Sequence, residues 1–315
     1  TPPPPPPPGP PSTTDVADRA APEAPDPSPV RVPGSAGLTL AADVAGPPDG
    51  PAVLLLHGGG QTRHSWAGTA RVLAASGWRV TAVDLRGHGE SDWAADGDYT
   101  IDAFAADVRA VVDAMHRPPV LVGASLGGIA SLLTVGEATD LPATARGLVL
   151  VDVAHRLERV GTQRIGTFMT GNLDGFASLE EAADAIAAYN PHRPRTTDHS
   201  GLAKNLRQRD DGRWVWHWDP AFVRGRFGSD DETRTSSIGF DRLDRAVEAL
   251  AIPTLLVRGR RSDLLSEEGV ADFLARAPHA EFADVAGAGH MVAGDRNEIF
   301  NRAILDFLAR HRPSA

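Results

Sequence analysis

Five residues, Gly123-Ala124-Ser125-Leu126-Gly127, set a serine hydroxyl between two glycines directly after the apolar run Val120 to Val122. The residues beyond, Ile129, Ala130, Leu132, Leu133 and Val135, have the apolar density of a buried helix. Strand, sharp turn and helix follow, with Ser125 on the turn. Small neighbours are needed there because the backbone is cramped, and the first N–H groups of the helix point at any negative charge that develops beside the hydroxyl. Such a hydroxyl can attack a carbonyl, provided that a base takes its proton and a carboxylate holds that base in one tautomer.

Eleven histidines compete for the role of base. His290 stands out because it lies in the glycine-rich stretch Ala286-Gly287-Ala288-Gly289-His290, between an apolar strand pattern and a helical one. Two carboxylates follow earlier strands. Asp263 lies in a loop long enough to bend toward His290 and is the preferred acid, with Asp152, at the end of the run Gly147 to Val151, as the alternative. No metal site is expected, because His57, His64 and His88 have neither an i, i+4 pairing on one helix nor a zinc-like spacing.

These residues need a frame that brings strand ends together. Val30 to Val32 and Leu38 to Val44 flank Pro33-Gly34-Ser35 and read as a hairpin. Apolar strands then alternate with helical patterns: strands 52–57, 79–84, 120–123, 147–152, 254–258 and 281–285, helices 64–75, 101–115, 125–135, 241–250, 266–275 and 297–311. Eight strands in that order predict a mostly parallel sheet covered by helices on both faces, with ligands beyond the carboxyl ends of its strands. The segments His57 to Gly60 and Asp84 to Ser91, Ser125, Asp152, Asp263 and His290 all fall just after strands.

The order Ser125, Asp263, His290 on this pattern resembles the α/β-hydrolase superfamily, over about Val30 to Arg310. The resemblance is to the branch with cofactor-free haloperoxidases and perhydrolases, small esterases and lactonases, and epoxide hydrolase-like proteins. Its epoxide hydrolases and dehalogenases carry Asp where this chain has Ser125. The resemblance implies an acyl-enzyme on Ser125, no cofactor, and an oxyanion hole from the N–H groups of Gly59 and Leu126, with His57 holding the loop. His57 to Gly60 also resembles the His-Gly-Gly-Gly of another esterase group, which would bring in Gly60; Trp66 fits the first arrangement. Arg86, His88, Glu90 and Ser91 are expected to tie down a turn. Cleavage of a small-molecule carboxylic ester or lactone is the expected activity. Perhydrolysis, carbon–carbon bond hydrolysis and a ligand receptor with dormant chemistry are the alternatives, and Leu126 departs from the Met that perhydrolase relatives carry after the nucleophile.

Between Asp152 and Gly239 the alternation stops. An insertion so long predicts a mostly helical cap at 154–239, with an amphipathic helix over 178–189, between core segments 30–153 and 240–312. Trp214, Trp216 and Trp218 alternate, so an extended backbone sets all three on one face, where they dock the cap or, with Trp66, Phe168, Met169 and Phe222, line a pocket. Arg193, Arg195, Lys204, Arg207, Arg209 and Arg213 read as a solvated face.

Composition narrows the classes. A net charge of −10 argues against a nucleic-acid partner, and the absence of cysteine rules out disulfides and thiolate metal sites. No apolar run reaches the length of a membrane span. Residues 1–29, rich in Pro, Ala and acidic side chains, are expected to form a disordered tail. A cytoplasmic location is expected, with secretion after removal of a leader as the other reading of a chain that starts at Thr1.

Overall fold

The computed structural model describes residues 27–189, 199–227, 239–290 and 297–312. Most of the anticipated tail and the positions Arg193 and Arg195 lie outside them. Ser28 and Pro29, counted with that tail, instead begin the first strand and pair with Val44 and Asp43.

Eight strands form one sheet: β1 (Ser28–Pro33), β2 (Thr39–Ala45), β3 (Ala52–Leu56), β4 (Arg79–Val83), β5 (Val120–Ala124), β6 (Gly147–Val151), and, after an inserted two-stranded sheet of β7 (Leu206–Gln208) and β8 (Trp214–Trp216), β9 (Thr254–Gly259) and β10 (Glu281–Val285). Their spatial order is β1-β2-β4-β3-β5-β6-β9-β10. The hairpin β1–β2 and the β2–β4 pair are antiparallel, and every other pair is parallel. The register runs Leu54 to Leu121, Leu121 to Leu148 and Val149 to Leu255.

Burial on both faces explains the uninterrupted apolar runs of β3, β5 and β6. Alternate residues serve opposite layers. Leu54, Leu56, Leu121, Leu148 and Leu150 pack with Phe104 of α2 (Ile101–Asp113) and Ile129 and Leu133 of α3 (Leu126–Gly136). Val53, Leu55, Val122, Val149 and Leu255 pack with Leu73 of α1 (Ala67–Ala75) and Phe307 of the C-terminal helix, residues 301–310. Helices begin where side chains cap them: Thr100 accepts from the Ala103 N–H and Ser266 from the Gly269 N–H. Two predicted helices start instead as 3-10 turns, Arg63–Trp66 and Asn297–Phe300. A short helix not foreseen, α4 (Leu141–Thr144), is capped by Asp140.

The insertion contains α5 (Arg159–Thr170), α6 (Leu179–Tyr189), α7 (Ser200–Ala203), the β7–β8 hairpin and α8 (Pro220–Phe227). Three further helices follow among the described residues: α9 (Phe240–Glu248), α10 (Glu267–Arg276) and α11 (Asn301–Arg310). Trp214 and Trp216 are in the extended strand β8, and the Trp216 and Trp218 rings stack at 4.6 Å and 10°. Among the described residues no helix is long and apolar enough to cross a membrane.

The turn between β5 and α3 is tightly packed. Ser125 adopts φ 46° and ψ −112°, a strained conformation for a residue with a Cβ. A Cβ on Gly123 would stand 2.5 Å from the Gly127 carbonyl oxygen, and one on Gly127 would stand 2.6 Å from that of Leu56. Both contacts are with backbone, which a rotamer change cannot relieve. Gly123→Ala is therefore expected to cost about 1–3 kcal/mol of stability, measured by urea unfolding, and wild-type stability would contradict this account of the turn.

Candidate active site

Every loop with chemistry leaves the sheet at a carboxyl end of a parallel strand, where such folds keep their ligands. Ser125 follows β5, at the centre of the sheet. Its N–H donates to the Val151 carbonyl at 3.2 Å, which anchors the turn to β6. Asp152 continues from that strand and His290 follows β10.

The structure brings His290 and Asp152 together. Nδ1 of His290 lies 2.8 Å from Asp152 Oδ2, and both side chains are buried. With Nδ1–H donating to the carboxylate, Nε2 keeps its lone pair and can accept a proton. Asp152 is fixed in turn: Oδ1 accepts from the Gly259 N–H at 3.0 Å and Oδ2 from the Ser262 hydroxyl at 2.9 Å. Its backbone has φ 52°; only Ala36, Ser125 and Asp152 have a positive φ among the described non-glycine residues. Two of those three are at this site.

Asp263, the acid preferred from loop length, does not meet His290. Ser262 takes the inward place, its Oγ also accepting from the N–H groups of Leu264 (3.1 Å) and Leu265 (3.3 Å), and Asp263 is turned outward. There it pairs with Arg164 of α5 at 2.7 Å. Loop length does not decide which of two neighbouring side chains faces inward, and the signal for Asp152, a carboxylate ending a fully buried strand, was weaker in sequence.

Beside Ser125 the loop from His57 to Thr62 presents a free donor. The Gly58 carbonyl accepts from His57 Nδ1 at 2.8 Å and from the Gln61 N–H at 3.1 Å. Because the peptide is trans, the Gly59 N–H must point the opposite way from that pinned oxygen. Neither the Gly59 N–H nor the Leu126 N–H has a hydrogen-bond partner among the described residues. The Gly60 N–H, by contrast, donates to His88 Nε2 at 3.2 Å. The Gly59 and Leu126 amides thus differ from that of Gly60 in having no acceptor among the described residues.

Two buried histidines hold this loop. His57 Nε2 accepts from the Leu85 N–H at 3.0 Å, and His88 Nδ1 lies 2.9 Å from the Arg86 carbonyl. Each ring donates at Nδ1 and accepts at Nε2, so each is neutral. Burial lowers His57 to about 4 and His88 to about 3. The neighbouring segment from Asp84 to Ser91 is likewise braced: Asp84 receives the Arg63 guanidinium at 2.5 Å, and Arg86 meets Asp107 at 2.5 Å.

The insertion docks on these two loops. Asn205 meets Thr62 at 3.0 Å, the Asp219 N–H donates to the Gly87 carbonyl at 2.8 Å, and the Tyr99 hydroxyl donates to Asp219 at 2.6 Å. Sequence reading singled out none of these contacts, since polar docking pairs leave no periodic trace. Phe222 lies edge-on to His88 at 4.7 Å, and its Cζ is 3.4 Å from where a Cβ on Gly59 would stand. Trp218 and Met169 approach Gly60 in the same way, at 3.1 and 3.2 Å.

The other aromatic residues weighed for a pocket lie elsewhere. Phe168 and Trp216 pack within the insertion, 5.9 Å apart, and Trp214 forms a bridge with Phe176. Trp66 is fully buried on the other face of the sheet, among Val53, Leu55 and Phe307, with no surface to offer a ligand. Arg207 is spent on His217 and the Gly89 carbonyl, Arg209 on Asp211, and Arg213 on the carbonyls of Asp174 and Gly175. No group of three or more His, Asp or Glu side chains is arranged to hold a metal ion among the described residues.

Comparison with known proteins agrees with this architecture. Residues 51–296 match the family model described as the alpha/beta hydrolase fold. An esterase of Mycobacterium tuberculosis is 32% identical over 290 residues, 89% of each chain. The crystal structure of that same esterase superposes with a TM-score of 0.66 at 32% identity, covering 90% of this chain and 92% of the other. A 3-hydroxybutyrate-oligomer hydrolase of Cupriavidus necator is 29% identical over 254 residues, 78% of this chain and 84% of its own.

The neutral histidines make stability depend on pH. Their folded values lie below the ordinary 6.5, so as pH falls the unfolded chain takes up protons first. Their contribution is whole above about pH 6.5 and is lost toward about 4 for His57 and about 3 for His88. Between pH 6.5 and 4.5 the loss is about 2 kcal/mol per histidine. Urea unfolding followed by tryptophan fluorescence is expected to show this decline, and a shallower one in His88→Gln; an identical slope in the variant would contradict the assignment.

Proposed function

Because the chain belongs to the α/β-hydrolase family, we propose that it is a serine hydrolase that cleaves a carboxylic ester or lactone through an acyl-enzyme on Ser125. The observation that carries the reading is the buried 2.8 Å hydrogen bond between His290 and Asp152, in loops that follow β10 and β6 on one side of the strand that leads to Ser125. His290 Nε2 takes the Ser125 proton as Oγ attacks the carbonyl carbon, and Asp152 stabilises the imidazolium that results. The N–H groups of Gly59 and Leu126 receive the oxyanion, each worth about 3 kcal/mol at the transition state. His290 then gives its proton to the leaving alkoxide. A water, deprotonated by the same nitrogen, attacks the acyl carbon and frees Ser125.

In this reading 30–153 and 240–312 form the catalytic core and 154–239 its cap. Asp263 has no part in proton transfer; with Arg164 it fastens the cap to the core. The esterase of M. tuberculosis, similar over most of both chains, supports ester cleavage as the activity.

A series of p-nitrophenyl esters tests the proposal. The wild type is expected to turn over short acyl chains, and Ser125→Ala to lose at least about 10⁴-fold in kcat. A Ser125→Ala variant with wild-type turnover would overturn the reading.

A further inference from the structure

Gln61 has a feature that holding a loop does not explain. Its side chain is 2% exposed, Oε1 accepts from the Gly58 N–H at 2.9 Å, and Nε2 has no hydrogen-bond partner among the described residues. A buried amide N–H₂ without a partner costs about 1–3 kcal/mol, so an acceptor reaching it, which none of the described residues supplies, would be bound favourably. The amide is also next to the nucleophile. Gln61 Oε1 and Ser125 Cβ lie 3.2 and 3.3 Å from the point where a Cβ on Gly58 would stand.

The sheet order tells which part of a substrate would come there. β3, whose loop carries Gln61, lies on one side of β5, while β6 and β10, which lead to Asp152 and His290, lie on the other. His290 must protonate the leaving alcohol, so that group faces the β6 side. With the carbonyl oxygen at Gly59 and Leu126, the remaining substituent, the acyl chain, extends toward the β3 side, where Gln61 stands.

We propose that Gln61 Nε2 donates a hydrogen bond to an oxygen in the acyl chain of the substrate, close to the scissile carbonyl, and so selects oxygen-bearing acyl groups over plain alkyl ones. The inference rests on the ester-hydrolase reading above. It makes Gln61 bifunctional: Oε1 positions the oxyanion loop and Nε2 reads the substrate. Phe222, Trp218 and Met169 are buried and pack against Gly59 and Gly60 of the same loop.

Two esters isolate the effect. p-Nitrophenyl methoxyacetate and p-nitrophenyl butyrate have acyl chains of equal length that differ by an oxygen in place of a methylene. The ratio of their kcat/KM values, compared between wild type and variants, cancels the intrinsic reactivity of each ester. Gln61→Met removes both functions, and Gln61→Glu keeps the acceptor for the Gly58 N–H while removing the donor. The ratio is expected to fall about 10-fold in both variants, the size of one hydrogen bond. A ratio within about twofold of wild type in both would overturn the role of Nε2, even with catalysis by Ser125 intact. Wild-type hydrolysis that survives Ser125→Ala would instead remove the reading beneath it.

Discussion

The close approach of backbone at the β5–α3 turn governs the rest of the site. Ser125 is held in a conformation worth about 1–3 kcal/mol of strain, and the fold tolerates it because the glycines on either side let strand, turn and helix touch. That contact leaves the Leu126 N–H at the helix start free and sets the hydroxyl beside the Gly58–Gly59 peptide. Relaxing the turn would lower the strain and move the serine away from those amides.

Around that point the neighbouring loops are braced by polar groups whose protonation is fixed by burial. His57 and His88, neutral because they are fully desolvated, each offer one donor and one acceptor and stitch the loops after β3 and β4 into one body. Asp152 is treated differently. Three donors converge on its carboxylate, so its orientation toward His290 is over-determined. Asp263, only one residue from Ser262, faces outward to an arginine of the insertion. Two carboxylates on neighbouring loops thus have unlike surroundings, one locked beneath the histidine and the other binding two parts of the chain.

The frame was legible in the sequence because burial on both faces writes itself as uninterrupted runs such as Ala52 to Leu56 and Gly147 to Val151. Strand ends then located Ser125, His290 and both candidate acids. The choice between Asp152 and Asp263 was not legible, since it turns on which side chain of a loop faces inward, and that is set by the Ser262 hydroxyl. Trp66 misled for a related reason: an aromatic residue near the nucleophile loop reads as pocket, yet its place in a 3-10 turn buries it in the opposite layer. The tryptophans of the insertion were legible in part. Alternation correctly gave an extended strand and a shared face for Trp216 and Trp218, whereas the polar docking of Asn205 and Asp219 has no pattern to read.

The most direct test of the account is the rate at which a fluorophosphonate probe labels the protein, with the adduct mapped by mass spectrometry, in wild type, Asp152→Asn and Asp263→Asn. The account predicts an adduct on Ser125, a rate reduced about 10³-fold or more in Asp152→Asn, and a rate near wild type in Asp263→Asn. Wild-type labelling of Asp152→Asn together with its loss in Asp263→Asn would contradict it.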